Sequence, residues 1–360
     1  MGSGQKRGGS KIYILYVSVM DLKKISLWLE EAGQPKFRLK QITDAVYKKG
    51  AATFDEITAL PEPLRNAIKE KFRILAIEPE TILESRAGDA VKGSFWLKDK
   101  QKIESVLLNL FPGKWSICVS TQVGCPVQCV FCATGRRGLK RNLSPDEIVS
   151  QYIFWANYLK KYRPGEKIGG VVYMGMGEPF LNYEAVAESL KVLTDPGLIG
   201  LGDRHISVST VGHVPGIRRF AKDFPQVNLA VSLHAVDNEL RSTLVPLNDK
   251  YPLDQISKAL KDYIYTTKRK VFIEYVMLGG INDSQSCARR LTDWLKSVAA
   301  PKYFTVNIIP YNQTDREYKA PTKERVEAFS NLLLTLNTSA TVRKSLGSDI
   351  AGACGQLAGK

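Results

Sequence analysis

Gly124-Cys125-Pro126-Val127-Gln128-Cys129-Val130-Phe131-Cys132-Ala133-Thr134-Gly135 is the stretch on which the reading of the whole chain turns. Its cysteines are spaced C-x3-C-x2-C, close enough for three thiolates to hold one metal centre while a fourth position is left without a protein ligand. A structural zinc takes four closed ligands, commonly from paired knuckles, and neither a second C-x2-C pair nor a histidine stands nearby in the sequence. Iron–sulfur clusters are held by thiolates, ordinarily four of them. Three thiolates leave one iron open to an outside ligand, and Val130 and Phe131 keep the loop dry. The bland alternative is three buried free thiols.

Working outward, the 360 residues suit one large domain plus a small one. There are 51 Lys+Arg against 36 Asp+Glu, a net charge of +15. That excess points to a polyanionic partner, with nucleic acid foremost, against the plainer reading of charge kept for solubility. The cysteines are Cys118, Cys125, Cys129, Cys132, Cys287 and Cys354. Their clustering reads as a metal site with redox chemistry in a reducing, cytoplasmic setting, and not as a secreted disulfide framework. Lys6 and Arg7 precede an apolar run over 12–20 that loosely imitates a signal peptide. The run is too short to cross a bilayer, and Asp21-Leu22-Lys23-Lys24 follows where a cleavage site would be needed. Residues 1–20 are set aside as an extension of uncertain status, and no membrane is expected.

Residues 21–90 read as a basic helical accessory domain. Leu39, Ile42 and Val46, then Leu64, Ile68 and Phe72, recur at helical spacing around Pro61 and Pro63. Lys23, Lys36, Lys40, Lys48, Lys69 and Arg73 lie on other faces, which suits a grip on RNA or simply a solvated surface. A linking β-hairpin is expected over 91–115, with strands at 93–97 and 103–108 about a charged turn at 98–101. Glu104 lies in its return strand, where a lone glutamate usually faces solvent. From 116 to 360 the pattern becomes alternating strand and helix. Strands are expected at 116–121, 170–174, 205–210, 228–233, 271–278, 304–309 and 340–344. The first puts Ser116, Cys118 and Ser120 on one face, and Ser144-Pro145-Asp146-Glu147 opens the helix after the cysteine loop with a capping box. The fold class is α/β, a partial (β/α)6 barrel with chemistry at the C-terminal strand ends.

The cysteine spacing resembles the cluster motif of the radical S-adenosylmethionine (radical SAM) enzymes, in which the open iron binds SAM. Several residues suit such a ligand. In Gly175-Met176-Gly177-Glu178-Pro179 the glycines allow close backbone approach and Glu178 offers a carboxylate to an amino group; lacking a third glycine, the run is a poor dinucleotide fingerprint. Ser209, Ser232 and His234 end the third and fourth strands, and Asn312 follows the sixth. Polar groups converging on one barrel mouth suit a ribose and a base, although each could be an ordinary loop cap. Near the chain end, Cys354 lies between Gly352 and Gly355 on a segment expected to move, or is an incidental thiol. Cys287 shares a helical face with Leu291 and Trp294 and reads as core.

The segments CVSTQVGCPVQCVFCATG, VVYMGMGEPFLN, VSLHA, IEYVMLGGINDS, VNIIPYNQ and ACGQLAG resemble the radical SAM RNA adenine methyltransferases over about 21–360. Members of that family methylate adenine C2 in 23S rRNA, in the peptidyl transferase region, and in many cases tRNA. The resemblance implies a [4Fe-4S] cluster on Cys125, Cys129 and Cys132, and two SAM per turnover. It implies Cys354 as methyl carrier, Glu104 as proton acceptor, and Cys118 as the thiol that resolves the intermediate through a transient disulfide with Cys354. It assigns Gly177, Glu178, Ser209, Ser232, Leu233, His234 and Asn312 to SAM. Arg136-Arg137-Gly138-Leu139-Lys140-Arg141, Lys160-Lys161 and Lys268-Arg269-Lys270 would contact phosphates. An electron donor such as flavodoxin or ferredoxin, a monomeric state and a cytoplasmic location are implied with it. The chemistry is coherent: adenine C2 is an electron-poor amidine carbon that cannot attack SAM as a nucleophile, so a radical route is required. One departure stands out, Leu346 where the family usually has an arginine. Two alternatives remain: methylation at C8 by a member of the same family, and a non-enzymatic RNA-binding protein whose three cysteines hold zinc.

Overall fold

The computed structural model describes residues 18–314 and 317–359, so most of the expected extension lies outside the described residues. The chain first builds a small helical unit. Helix α1 (Leu22–Glu31) starts at Asp21, whose carboxylate accepts the N–H groups of Lys23 and Lys24. Helices α2 (Phe37–Thr43) and α3 (Glu62–Lys71) follow, and a short parallel pair, β1 (Ser18–Val19) with β2 (Phe72–Arg73), closes the unit. Ile25, Leu29, Ile42, Val46, Leu64, Ile68 and Phe72 meet in one core, which Val149 and Ile153 of the next domain complete. The helical unit therefore lacks a fully private core and is docked on that domain.

The expected extent of this unit needs correction. Residues 77–84 form β3 (Ile77–Glu84), a strand of the large sheet, antiparallel to β4 (Ala90–Leu97). Its sequence hides it: only Ile77 is buried, and the pairing shifts register between Pro79 and Thr81. An edge strand carrying proline and exposed carboxylates is guarded against further pairing, and so shows no alternation. The expected hairpin, β4 with β5 (Lys102–Phe111), does form. It is no separate linker, because β5 pairs antiparallel with β6 (Lys114–Cys118) and carries the sheet straight into the barrel.

After β6 come a small antiparallel ribbon, β7 (Gln122–Gly124) with β8 (Leu139–Asn142), and then the strand–helix alternation. Parallel strands β9 (Lys167–Tyr173), β10 (Ile206–Thr210), β11 (Asn228–Ser232), β12 (Val271–Met277), β13 (Phe304–Pro310) and β14 (Ala340–Val342) follow β6 in spatial order. The crossovers are α4 (Pro145–Tyr162), α5 (Tyr183–Thr194), α6 (Val214–Asp223), the pair α7 (Asn238–Leu244) and α8 (Leu253–Thr267), α9 (Gln285–Val298) and α10 (Lys323–Thr335). Helix α4 opens with the expected box: Ser144 Oγ accepts from Glu147 N at 3.2 Å and Glu147 Oε2 from Ser144 N at 2.9 Å. Strand parity divides the side chains. Ile117, Val208, Leu229, Val231, Ile273 and Val306 share a core with the surrounding helices, while Ser116, Cys118, Ser209, Ser232, Glu274 and Asn307 line the lumen. The sheet runs from β14 at one edge to β3 at the other without closing, so the barrel is open. No helix among the described residues is long and apolar enough to cross a membrane.

Candidate active site

The cysteine loop leaves β7 at Gly124, whose φ of +78° is a left-handed conformation favouring glycine. Cys125 N–H donates to the Gly138 carbonyl at 3.0 Å, Val130 N–H to Leu244 at 3.1 Å and Ala133 N–H to Gly355 at 2.8 Å. Val127, Cys129 and Phe131 pack with Leu244, Val245, Leu278 and Tyr311 in a small core of their own. All three thiols line one cavity of about 150 Å³. Burial pushes Cys125 up to about 12, and raises Cys129 well above its usual value, with the neighbouring cysteines adding to the effect. Among the described residues no group of Cys, His, Asp or Glu is arranged to hold a single metal ion. A [4Fe-4S] cluster does not ask for such convergence, because each thiolate binds its own iron. Three thiols from one tied-down loop, opening into a dry cavity with room for an outside ligand, fit that cluster.

The other groups of this cavity come from the C-terminal strand ends, as parallel topology requires. Glu178, 2 % exposed, follows β9. Its Oε1 accepts from Phe180 N at 3.1 Å and its Oε2 from Val211 N at 2.9 Å. Burial nevertheless pushes its carboxyl up to about 7, because no cation among the described residues offsets the charge. Gly177 has a φ of +105°, and a Cβ there would lie 2.7 Å from Gln122 Cβ and 2.8 Å from Thr121 Oγ1. The glycine thus serves close packing on β7, and it also lines the cavity, where the ligand approach was expected. Ser209 and Ser232 share a hydrogen bond at 3.2 Å across β10 and β11. His234 Nδ1 accepts from Val276 N at 3.0 Å, leaving the proton on Nε2. Burial first, then Arg241, pushes this imidazole down to about 3, so it is neutral. Asn312 lines the cavity, with Nδ2 donating to the Cys354 carbonyl at 3.0 Å. Leu233 does not line it: its side chain is fully buried in the main core, its N–H donates to Glu274 O, and its carbonyl accepts from Arg241 Nε.

Arg241 was not visible as a site residue in the sequence. It is fully buried and has no carboxylate partner; it donates to the carbonyls of Leu233, Val211 and Ser232 and to Asn248 Oδ1. It therefore ties together the ends of β10 and β11 that carry the serines and His234. A cation in a seven-residue helix reads as a solvated face, and nothing in its spacing says otherwise.

A second cavity, of about 170 Å³, adjoins the first and brings Cys118 and Cys354 together. Cys118 is buried on β6, and its thiol is raised by burial and then by Cys354. Cys354 keeps solvent access, although the protein around its sulfur, followed by Glu274, pushes the thiol up. Leu346, at the position where arginine was expected, is a buried wall of the same cavity. Glu104 lines neither cavity. It is 4 % exposed, contrary to the habit of lone strand glutamates, with Oε1 3.4 Å from Lys92 Nζ and Oε2 accepting from Ala358 N at 2.8 Å. The tail that it holds is also fastened by Thr134 Oγ1 to the Leu357 carbonyl and by Arg137 to the Gly359 carbonyl, each at 2.6 Å. Arg137 and Arg141 are thus committed internally, the latter to Asp99 and Glu147, and do not stand free for phosphate. Arg269 is bonded to Asn228 Oδ1 at 2.6 Å.

Comparison with known proteins agrees with this geometry. The radical SAM superfamily model matches residues 119–286, and the ribosomal RNA large subunit methyltransferase N-terminal domain model matches residues 18–74. A probable dual-specificity RNA methyltransferase RlmN of Streptococcus agalactiae is 42 % identical over 92 % of this chain and 89 % of its own length. Its counterpart in Caldicellulosiruptor saccharolyticus is 42 % identical over 94 % of each chain. The crystal structure of a radical SAM methyltransferase from Sphaerobacter thermophilus superposes with a TM-score of 0.88 at 39 % identity, covering 94 % of this chain and 98 % of that one. The chain belongs to the dual-specificity RNA methyltransferase RlmN family of the radical SAM superfamily.

Proposed function

We propose that the protein methylates C2 of adenine in 23S rRNA and in tRNA, with Cys354 as the methyl carrier. The observation that carries this is the pair of adjoining cavities. Cys354 lines both, so one sulfur faces the cluster loop on one side and Cys118 on the other. Cys125, Cys129 and Cys132 would hold the cluster, which with SAM bound supplies a carbon-centred radical. Glu178, Ser209, Ser232, His234 and Asn312 would orient SAM, Glu178 at its amino group and the neutral His234 through its Nε2 proton.

The chain's own part then follows. Cys354 loses its proton and carries the methyl group as a thioether. Its methyl carbon, once deprived of a hydrogen atom, bonds to C2 and ties the RNA to the enzyme. Glu104 takes the C2 proton as the adduct's unpaired electron leaves to a one-electron acceptor, a role the bound cluster would fill, so that the ring is aromatic again; this requires the tail to leave the carboxylate that it now covers. Cys118 thiolate attacks the Cys354 sulfur: a sulfur–sulfur bond forms, the sulfur–carbon bond breaks, and the departing carbon keeps the electron pair and gains a proton. Two electrons must reduce the disulfide before the next turnover. An external one-electron donor such as flavodoxin or ferredoxin, a monomeric cytoplasmic enzyme and an RNA grip by the basic helical unit complete the proposal.

Cys118→Ala tests it. Cluster-loaded enzyme with SAM, reductant and 23S rRNA should accumulate a covalent RNA–protein adduct, which disappears when Cys354 is also changed to Ala. Nucleoside analysis of wild-type product should show 2-methyladenosine. Free methylated RNA at the normal rate from Cys118→Ala would remove Cys118 from the mechanism, and 8-methyladenosine alone would overturn the regiochemistry.

A further inference from the structure

A third cavity, of about 670 Å³, lies in the lumen beyond the second and is lined by Lys114, Arg204 and Arg343 among others. Two side chains, Met174 and Glu274, line all three cavities. Among the described residues Glu274 is the only acidic one on the walls of the second and third. It sits on β12, opposite Ser232 of β11 and Asn307 of β13 in register, and is 4 % exposed. Among the described residues its one hydrogen-bond donor is Asn307 Nδ2, 2.7 Å from Oε1. A carboxyl buried in a barrel interior with a single partner costs free energy unless something else completes it. The target base is a candidate, since it must enter the cavity that Glu274 shares with Cys118 and Cys354.

We propose that Glu274 grips the N1/N6 edge of the target adenine, accepting from the exocyclic amino group and donating to N1, and so turns C2 toward Cys354 and activates it. The inference rests on the C2-methylation reading. C2 is bonded to N1, so a group holding N1 places C2 beside it. Hydrogen-bond donation to N1 also withdraws electron density from the amidine, which lowers the barrier for addition of an electron-rich thiomethylene radical to that carbon. Donation requires the carboxyl to hold its proton. Its surroundings favour this: burial is the largest influence and raises Glu274, opposed by Asn307 and by Arg343. Cys354, itself raised by burial first and then by Glu274, shares the cavity walls with it, as do Cys118, Cys132, Glu178, His234, Lys344, Lys114, Lys167, Arg204 and His205. No new bond is made by this residue; the proton is shared with N1 and returns.

The test compares Glu274→Leu and Glu274→Gln with wild-type Glu274, all in a Cys118→Ala background that retains the adduct and all cluster-loaded, on an RNA carrying adenosine or 1-deazaadenosine at the target. Glutamine keeps a donor and an acceptor, so its adduct formation should stay within about tenfold of wild type. Leucine should slow adduct formation about 100-fold, the lower range for a lost acid–base contact, while Cys354 methylation without RNA proceeds normally by mass spectrometry. With 1-deazaadenosine, the difference between wild type and Glu274→Leu should shrink to within about tenfold, because the N1 acceptor is gone and only the amino contact is left. A 100-fold difference that persists on 1-deazaadenosine overturns the proposal, as does loss of Cys354 methylation in Glu274→Leu, which would place the carboxyl on the thiol instead. Failure of the underlying reading would show separately, as wild-type product without 2-methyladenosine.

Discussion

Replacing Gly124 by alanine should detach the cluster loop while leaving the barrel folded. A Cβ on Gly124 would lie 1.8 Å from the Gly138 carbonyl oxygen, where real contacts stay beyond 3.0 Å, so that carbonyl must retreat by at least 1.2 Å. The same oxygen accepts the Cys125 N–H at 3.0 Å, and that bond breaks with the movement. An unsatisfied N–H in a dry loop costs about 1–3 kcal/mol. Holding alanine in the left-handed region adds about 1–2 kcal/mol. The sum, about 2–5 kcal/mol with a midpoint near ~3.5, lowers the population of the cluster-binding loop a hundredfold or more at that midpoint, at about 1.4 kcal/mol per decade. The damage stays local because β7 and β8 form their own two-stranded ribbon, outside the ten-stranded sheet. Iron release from anaerobically loaded protein to an excess of chelator should therefore accelerate about a hundredfold, with far-ultraviolet circular dichroism unchanged. Release at the wild-type rate would refute the reasoning, because the steric conflict would then have no consequence for the loop.

Two further perturbations follow from buried charges. Arg241→Met strips donors from the Leu233, Val211 and Ser232 carbonyls and from Asn248, and should cost about 3–5 kcal/mol in urea unfolding; a loss below about 1 kcal/mol would show those carbonyls finding other partners. Glu178, raised from an ordinary 4.5 to about 7 by burial, binds more protons folded than unfolded between those values. Its contribution is therefore complete below pH 4.5 and is lost as pH rises through 7, an effect on the order of 3 kcal/mol. The stability of cluster-free wild type relative to Glu178→Gln should fall by that amount between pH 4.5 and pH 8, and a difference independent of pH would contradict the uncompensated burial.

The barrel was legible because its strands are apolar on the helix-facing side and end in motifs. Expected and observed strands differ by a few residues, as at 116–121 against Lys114–Cys118. Strand β3 was illegible for the opposite reason: exposed on most positions and broken by Pro79, it offers no period to read. The thiols, Glu178 and the polar strand ends were legible because spacing and residue type narrow their chemistry. Glu104 and Glu274 share a signal that sequence reading undervalues. Each is the single carboxylate of a largely apolar strand, as in Lys102–Phe111 and Val271–Met277. Each proves 4 % exposed. What they touch depends on strand parity and on the tail, neither of which a strand's own sequence contains. Arg241 lay beyond reach altogether, since its partners are backbone carbonyls, which leave no trace in residue identity.

The buried charges also suit the cysteine loop to the proposed iron site better than to a reactive thiol site. Reactive cysteines lie in electropositive, partly exposed surroundings that stabilise the thiolate. Here burial does the reverse at Cys125 and Cys129. Arg241, the cation whose charge acts on Cys129, is already occupied by carbonyls and answers at most one negative charge. Glu178 adds a further acid to the same cavity with no cation of its own. Three thiolates can therefore form in this loop only if their compensating charge arrives with the ligand, because metal binding is what deprotonates such thiols. An empty loop is thus chemically quiet, and its thiols become ligands as the iron enters. Cys118 and Cys354 differ in this respect: no metal is needed to ionise them, and each is raised by the protein around it. For the proposed mechanism to run, their thiolates must therefore be generated within turnover, by a change in the cavity that they share.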